Sequence, residues 1–110
     1  NIKNPRAFID NKDKFQDTIV NSNSTIGANS TIICGNNIGE FSFIGAASLI
    51  TKNIKSYELV YGSPARHIGW VNKVGKKIPI DENSEEYICY ETNKIYTLKN
   101  GIIYVSDNDK

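Results

Sequence analysis

The sequence has no methionine and very little cysteine and histidine. Its two cysteines, Cys34 and Cys89, have the spacing of neither a zinc site nor a disulfide framework. Free cysteines of this kind are typical of a reducing compartment, so we expect a cytoplasmic protein without a bound metal. Because the chain also begins without methionine, we expect it to be the C-terminal part of a longer protein.

Strong charge and long apolar runs are also missing. The formal net charge is +1, and charged residues make up 23% of the chain, which gives no reason to expect nucleic acid or a membrane surface as a partner. No apolar run approaches the roughly 20 residues of a membrane-spanning helix, and the N-terminus lacks the pattern of a signal peptide. A chain of 110 residues is long enough for one domain.

A six-residue repeat occupies the middle of the chain. Aliphatic residues recur at a spacing of six, at Val20, Ile26, Ile32, Ile38, Ile44 and Ile50. Small or polar residues follow five of these positions by four, at Ser24, Ser30, Asn36, Ser42 and Ser48. This period fits neither an amphipathic helix nor an ordinary strand. It suits a short flat strand followed by a corner, so that three units form one triangular turn of a parallel β-helix.

The predicted β-helix fixes which residues stack. Residues eighteen apart should lie above one another, with Ile26 under Ile44 and Ile32 under Ile50, and their side chains should point inward. Serine and asparagine near the corners can form local hydrogen bonds, and glycine can adopt the φ values that corners require. About two coils are present. Because a solenoid needs stacked neighbours, we expect more coils before residue 1, together with trimerisation.

The repeat divides the chain into four regions. Residues 1–19 are predicted to be a loop that leaves the β-helix, and residues 20–55 the β-helix itself. Residues 56–77 are predicted to form a cap, with a short helix or turn over 65–71 and Trp70 covering the open end. Residues 78–110 are predicted to form a β-hairpin with a third strand after the Asn100-Gly101 turn, followed by a frayed tail over 106–110. The fold class is therefore all-β.

The sequence resembles a known family. The segment TIGANSTIICGNNIGEFSFIGAASLITKNIKSYELVYGSPARHIGWV (residues 25–71) is similar to the end of the left-handed β-helix, or hexapeptide-repeat, acyltransferases. With NPRAFIDNKDKFQDTIV before it and ICYETNKIYTLKNGII after it, the chain most resembles the UDP-2-acetamido-3-amino-2,3-dideoxyglucuronate N-acetyltransferases of lipopolysaccharide and O-antigen synthesis. The resemblance implies left-handed coils, a homotrimer, acetyl-CoA as co-substrate and a nucleotide-sugar amine as acceptor.

The resemblance also assigns candidate binding residues. Ala28 and Ala46 should stack at one corner beside Ala47, where small side chains let the pantetheine arm approach, although tight corners alone would also select alanine. Lys52 and Arg66 match family positions near the nucleotide end of CoA, where a phosphate requires positive charge. Lys52 could equally be a solvated surface lysine, and Arg66 a structural cap.

Other residues carry weaker assignments. Arg6, in the NPRA loop, could contact the nucleotide sugar or a neighbouring subunit, or belong to an ordinary turn. We predict a cap or surface role for His67, since the catalytic histidine of related O-acetyltransferases lies earlier in the chain. Cys34 is interpreted as a small apolar filler. No catalytic residue is assigned, because the residues that hold the acceptor in this family lie mostly upstream.

Three alternatives to this function differ in class. A γ-class carbonic anhydrase shares the β-helix but requires three histidine ligands, and this chain has one histidine. A non-catalytic β-helix, acting as a scaffold or regulatory subunit, would not bind CoA. An acyltransferase for another acceptor, such as serine or an antibiotic, would lack a use for the NPRA loop and the C-terminal hairpin.

Overall fold

The computed structural model describes the backbone of residues 8–10 and all of residues 18–109. The regular elements of these residues are thirteen short β-strands: β1 Phe8–Asp10, β2 Ile19–Val20, β3 Thr25–Ile26, β4 Thr31–Ile33, β5 Asn37–Ile38, β6 Phe43–Ile44, β7 Leu49–Ile50, β8 Glu58–Gly62, β9 Ala65–Val71, β10 Lys77–Ile78, β11 Glu86–Cys89, β12 Lys94–Lys99 and β13 Ile102–Asp107. This confirms the predicted all-β class. These residues contain no helix that is long and apolar enough to cross a membrane.

The first eight strands form a stack of triangular coils. Parallel pairing joins β1, β4 and β7 on one face, β2 and β5 on the second, and β3, β6 and β8 on the third. The register places Ile26 beside Ile44 and Ile32 beside Ile50, as the eighteen-residue spacing predicts. The second face, formed by β2 and β5, continues through a bridge between Ile38 and Ile54.

The inward ladders form the core of the β-helix. Ile26, Ile32, Ile38, Ile44 and Ile50 have no exposed surface, and Val60 closes the top of one ladder. Each fully buried aliphatic side chain of this size stabilises the fold by about 1.5–3 kcal/mol. The buried corner serines satisfy their hydroxyls locally, as predicted: Ser42 donates to the carbonyl of Gly39 and Ser48 to that of Gly45, each at 2.7 Å.

The glycines of the coils serve two different purposes. The left-handed positions repeat every six residues at Asn23, Asn29, Gly35, Phe41 and Ala47. Three other glycines, Gly27, Gly39 and Gly45, each lie two residues before one of these positions. None of the three has a positive φ. Gly27 and Gly39 are required by close approach instead, because an added Cβ would lie 2.5 Å from the backbone nitrogen of Ala46 at Gly27 and 2.3 Å from that of Ser56 at Gly39. The expectation that glycine supplies a corner φ value is met by Gly35, whose φ is 87°, and not by Gly27, Gly39 or Gly45.

The cap is made of strands, not of the predicted short helix. β8 continues the coil face beside β6, and β9 folds back antiparallel to it after Ser63-Pro64. β10 then pairs with β9. A strand here satisfies the outer edge of β8, which a helix would leave unpaired. Trp70 is buried, as expected of a residue that covers the end, in a second core shared with Tyr57 and Tyr96.

The last three strands form the predicted antiparallel extension. β12 pairs with β11 on one side and β13 on the other. Asn100 and Gly101 have φ values of 53° and 73°, as a two-residue hairpin turn requires. β13 ends at Asp107, so the first two residues of the predicted tail, 106 and 107, belong to a strand.

One strand lies in the region predicted to be a loop. Phe8–Asp10 forms β1, which pairs in parallel with β4 and extends that coil face downward. The prediction of a loop over residues 1–19 therefore fails at these three residues and at Ile19, where β2 begins. The rest of residues 1–17 lies outside the described part of the chain.

Candidate functional site

Three of the predicted binding residues come together at one corner of the coil stack. Ala28 follows β3 and Ala46 follows β6, and these two strands are neighbours in one sheet. The backbone N–H of Ala47 donates to the carbonyl of Ala28 at 2.8 Å, which links the two coils at the corner. Ala46 and Ala47 are exposed. The structure thus forms a small-residue corner, defined by Ala28, Ala46 and Ala47, that is open to a ligand.

Arg66 lies above the same corner. Its strand, β9, is one strand beyond β8, and β8 lies directly on the coil that carries Gly45. Arg66 is exposed and stands opposite Tyr61 in the β8–β9 pairing. Arg66 therefore lies at the end of the small-residue corner that is nearer the cap. A ligand that extends along the coils toward the cap would approach its side chain.

Lys52 occupies a neighbouring corner. It follows β7, whereas Ala46 and Ala47 precede that strand, so the face formed by β7 separates the two corners. Lys52 is exposed. Arg6 lies outside the described residues. The structure therefore groups Ala28, Ala46, Ala47 and Arg66, and it places Lys52 at the other end of one strand.

Tyr61 belongs to the site but is absent from the sequence-based assignment. Its ring lies on the backbone of Gly45, where a Cβ would be 2.5 Å from the ring atom Cδ1. The residue is nevertheless 58% exposed. An aromatic side chain at an outward position just before the Gly62-Ser63-Pro64 turn was the available signal, but its neighbour Gly45 is sixteen residues away in sequence and only the fold brings them together.

His67 has a structural partner that the sequence does not reveal. Its Nδ1 lies 2.8 Å from Oε2 of Glu58, whose carboxylate is largely buried. The other oxygen of Glu58 accepts a hydrogen bond from the backbone N–H of Lys55 at 2.8 Å. The imidazole also meets the edge of Trp70, with 4.9 Å between ring centroids. These contacts join β9 to the last coil, in keeping with the predicted cap role.

The two cysteines lie in different parts of the fold, Cys34 just after β4 and Cys89 at the end of β11. Cys34 and Cys89 are buried and are not joined by a disulfide. Burial opposes ionisation of Cys89, but hydrogen bonds from Thr92 and Asn72 outweigh it and lower the pKa of the thiol below its usual value. Among the described residues, no three histidine, cysteine or carboxylate side chains are close enough to hold a metal ion.

The coil stack, its strand cap and the small-residue corner define a class of protein. They are the features of the left-handed β-helix of hexapeptide-repeat acyltransferases, and the predicted resemblance to that class is confirmed by similar proteins. A dTDP-3-amino-3,6-dideoxy-alpha-D-galactopyranose 3-N-acetyltransferase of Aneurinibacillus thermoaerophilus is 40% identical over 91 residues, which are 83% of this chain and 46% of that protein. Its name specifies a dTDP-linked amino sugar, whereas the group named from the sequence uses a UDP-linked one.

Two further proteins show the same likeness over shorter stretches. A chloramphenicol acetyltransferase of Escherichia coli is 37% identical over 65 residues, or 56% of this chain and 31% of that protein. A hexapeptide-repeat acetyltransferase of Vibrio cholerae, solved with acetyl-CoA, superposes with a TM-score of 0.51 at 28% identity, over 52% of this chain and 31% of that one. The chain thus spans less than half the length of these curated relatives. No protein-family model matches it.

Proposed function

We propose that the protein is an acetyl-CoA-dependent N-acetyltransferase that acts on the amino group of a nucleotide-linked sugar, a precursor of lipopolysaccharide or O-antigen. The observation that carries the proposal is the 40% identity to a sugar N-acetyltransferase across 83% of the chain. The described residues supply the CoA side of the site.

The small-residue corner accounts for the pantetheine arm. Alanine side chains at 28, 46 and 47 add only a methyl group each, so an extended chain can lie close to the corner backbone. The exposed Arg66 guanidinium at the cap end provides a lasting positive charge for a phosphate, which it can hold through two parallel hydrogen bonds. Lys52 lies at the neighbouring corner, so it is not assigned to the same phosphate contact as Arg66.

The reaction requires little from these residues beyond positioning. The neutral amine attacks the thioester carbonyl carbon and forms a tetrahedral oxyanion. The C–S bond then breaks, the nitrogen loses its extra proton, and CoA leaves as the thiol after taking up a proton. Because the amine is already nucleophilic, alignment and oxyanion stabilisation supply most of the acceleration. The acceptor, Arg6 beside it and any catalytic base belong to parts of the protein other than the described CoA side.

A homotrimer completes the proposal. A single coil stack presents the small-residue corner as a convex edge with Ala46 and Ala47 exposed, so a groove requires a second wall from another subunit. We place the enzyme in the cytoplasm, where its acetyl donor is available.

A second candidate is an acetyltransferase for a different acceptor, which the 37% identity to a chloramphenicol acetyltransferase favours. The two candidates share the CoA corner and differ only in the acceptor. Thiol release from acetyl-CoA should therefore be followed with dTDP-3-amino-3,6-dideoxygalactose and with chloramphenicol. Turnover of the sugar alone supports the first candidate, and turnover of chloramphenicol alone supports the second.

Isothermal titration with CoA tests the class itself. Heat of binding is expected at micromolar to millimolar CoA. No heat at millimolar CoA would refute both acetyltransferase candidates and leave the scaffold alternative.

A further inference from the structure

Tyr61 has an unusual combination of packing and exposure. One edge of its side chain lies against Gly45, because Cδ1, Cγ and Cβ of Tyr61 would be 2.5, 3.3 and 3.4 Å from a Cβ added at that position. More than half of the residue is exposed. The ring therefore packs against the corner backbone while the rest of its surface stays available to a ligand.

The ring also lies between the two parts of the candidate CoA site. Gly45 immediately precedes Ala46 and Ala47, which form the small-residue corner. Arg66 is the cross-strand partner of Tyr61, and side chains paired in this way have Cβ atoms about 4.5–5.5 Å apart. Tyr61 therefore lies between the corner and Arg66 in the order of the strands, on the way of a ligand that runs along this sheet.

We propose that Tyr61 is the contact for the adenine ring of CoA, and that stacking of the purine on Tyr61 sets the position of the neighbouring ribose 3′-phosphate at Arg66. This inference rests on the proposed function. Purines stack on aromatic side chains through their π-faces, and CoA carries its purine one ribose away from the 3′-phosphate. The corner alanines offer no such surface.

The test compares CoA with 4′-phosphopantetheine, which lacks the adenosine part. Both ligands are titrated into the wild-type protein, Tyr61→Ala, Tyr61→Phe and Tyr61→Leu. Leucine fills the space against Gly45 without an aromatic face, so it substitutes for alanine if Tyr61→Ala does not fold. Tyr90→Ala is the matched control, because Tyr90 is 80% exposed and lies in the extension, just after β11.

Tyr61→Ala and Tyr61→Leu should weaken CoA by roughly fivefold to a hundredfold and leave 4′-phosphopantetheine within about twofold. Tyr61→Phe and Tyr90→Ala should bind both ligands like the wild type. Unchanged CoA affinity in Tyr61→Leu, or equal losses for the two ligands, overturns the adenine assignment while the proposed function stands. A wild-type protein that binds neither ligand overturns the proposed function as well.

Discussion

Gly27 and Gly45 occupy equivalent positions in successive coils, but a methyl group at each would meet a different neighbour. At Gly27 the added Cβ would lie 2.5, 2.6 and 2.7 Å from three backbone atoms of Gly45 and Ala46. At Gly45 it would meet the side chain of Tyr61, also at 2.5 Å. Backbone atoms of a stacked coil cannot move away individually, whereas an exposed tyrosine ring can rotate. We therefore expect Gly27→Ala to be much more destabilising than Gly45→Ala.

The size of the difference follows from the contacts that must move. Separating the coils at Gly27 costs about 1–3 kcal/mol in strain. It also loosens two backbone hydrogen bonds, Gly27 N–H to Ile44 and Ala47 N–H to Ala28, both 2.8 Å long and each contributing about 1 kcal/mol. Alanine offsets about 0.4–1 kcal/mol of this by restricting the unfolded chain. The net expectation is a loss of about 2–4 kcal/mol for Gly27→Ala and a change of less than about 1 kcal/mol for Gly45→Ala.

Urea denaturation of the two variants and the wild type measures this difference. With a slope of about 1–3 kcal/mol per molar urea, Gly27→Ala should lower the midpoint by about 1 M or more. Equal losses in both variants would refute the reasoning, because the shortest contact is 2.5 Å in both cases and the backbone neighbours of Gly27 are more numerous and less mobile than the Tyr61 side chain. A Gly27→Ala protein as stable as the wild type would refute the close-packing role of the glycine itself.

Three other predictions concern a corner, a phosphate contact and a buried phenol. Ala47 has φ 58°, so Ala47→Gly should relieve left-handed strain and raise the free energy of unfolding by about 0.5–1 kcal/mol in urea titrations; a loss would contradict this. Arg66→Ala should weaken CoA by about 10- to 100-fold and 3′-dephospho-CoA much less, as measured by calorimetry, and equal losses would remove the 3′-phosphate assignment. Burial, with the nearby Tyr96 and Glu40, raises the pKa of Tyr57 to about 12. The stabilisation from this shift is present below pH 10 and is lost as the pH rises through about 12, so Tyr57→Phe should lose less stability than the wild type between pH 9 and 11. If the free energy of unfolding, measured with urea, falls equally with pH in the two proteins, the raised pKa of Tyr57 does not contribute to the pH dependence of stability.

The coil stack could be predicted from the sequence because it follows from the six-residue period alone. A residue that points inward every sixth position determines the strand, the corner and the partner eighteen residues away, so Ile26 and Ile44 could be paired from spacing alone. The extension was predictable for a similar reason, since Asn100-Gly101 is a turn signal that acts within its own hairpin.

The cap and the site depend on contacts that spacing does not encode. Residues 65–71 form a strand because β8 presents an unpaired edge there, which is a property of the assembled coil and not of the segment. β1 is likewise a strand only because β4 lies beside it. Tyr61 could not be assigned for the same reason, since its exposure suggests an ordinary surface residue until Gly45 is seen beneath its ring.

The strained residue at the corner links stability to the proposed binding site. Four of the five left-handed corner positions at six-residue spacing are not glycine, and two of those four are asparagine, which tolerates this conformation better than alanine does. At Ala47, asparagine would reduce the strain but would place an amide side chain in the small-residue corner beside Ala46. Alanine keeps the corner shallow at a modest cost in stability. If CoA occupies this corner, Ala47→Asn should stabilise the fold and weaken CoA binding together, whereas Ala47→Gly should stabilise the fold and leave CoA binding intact. If the corner has no role in binding, the two variants should be stabilised and should bind CoA equally well.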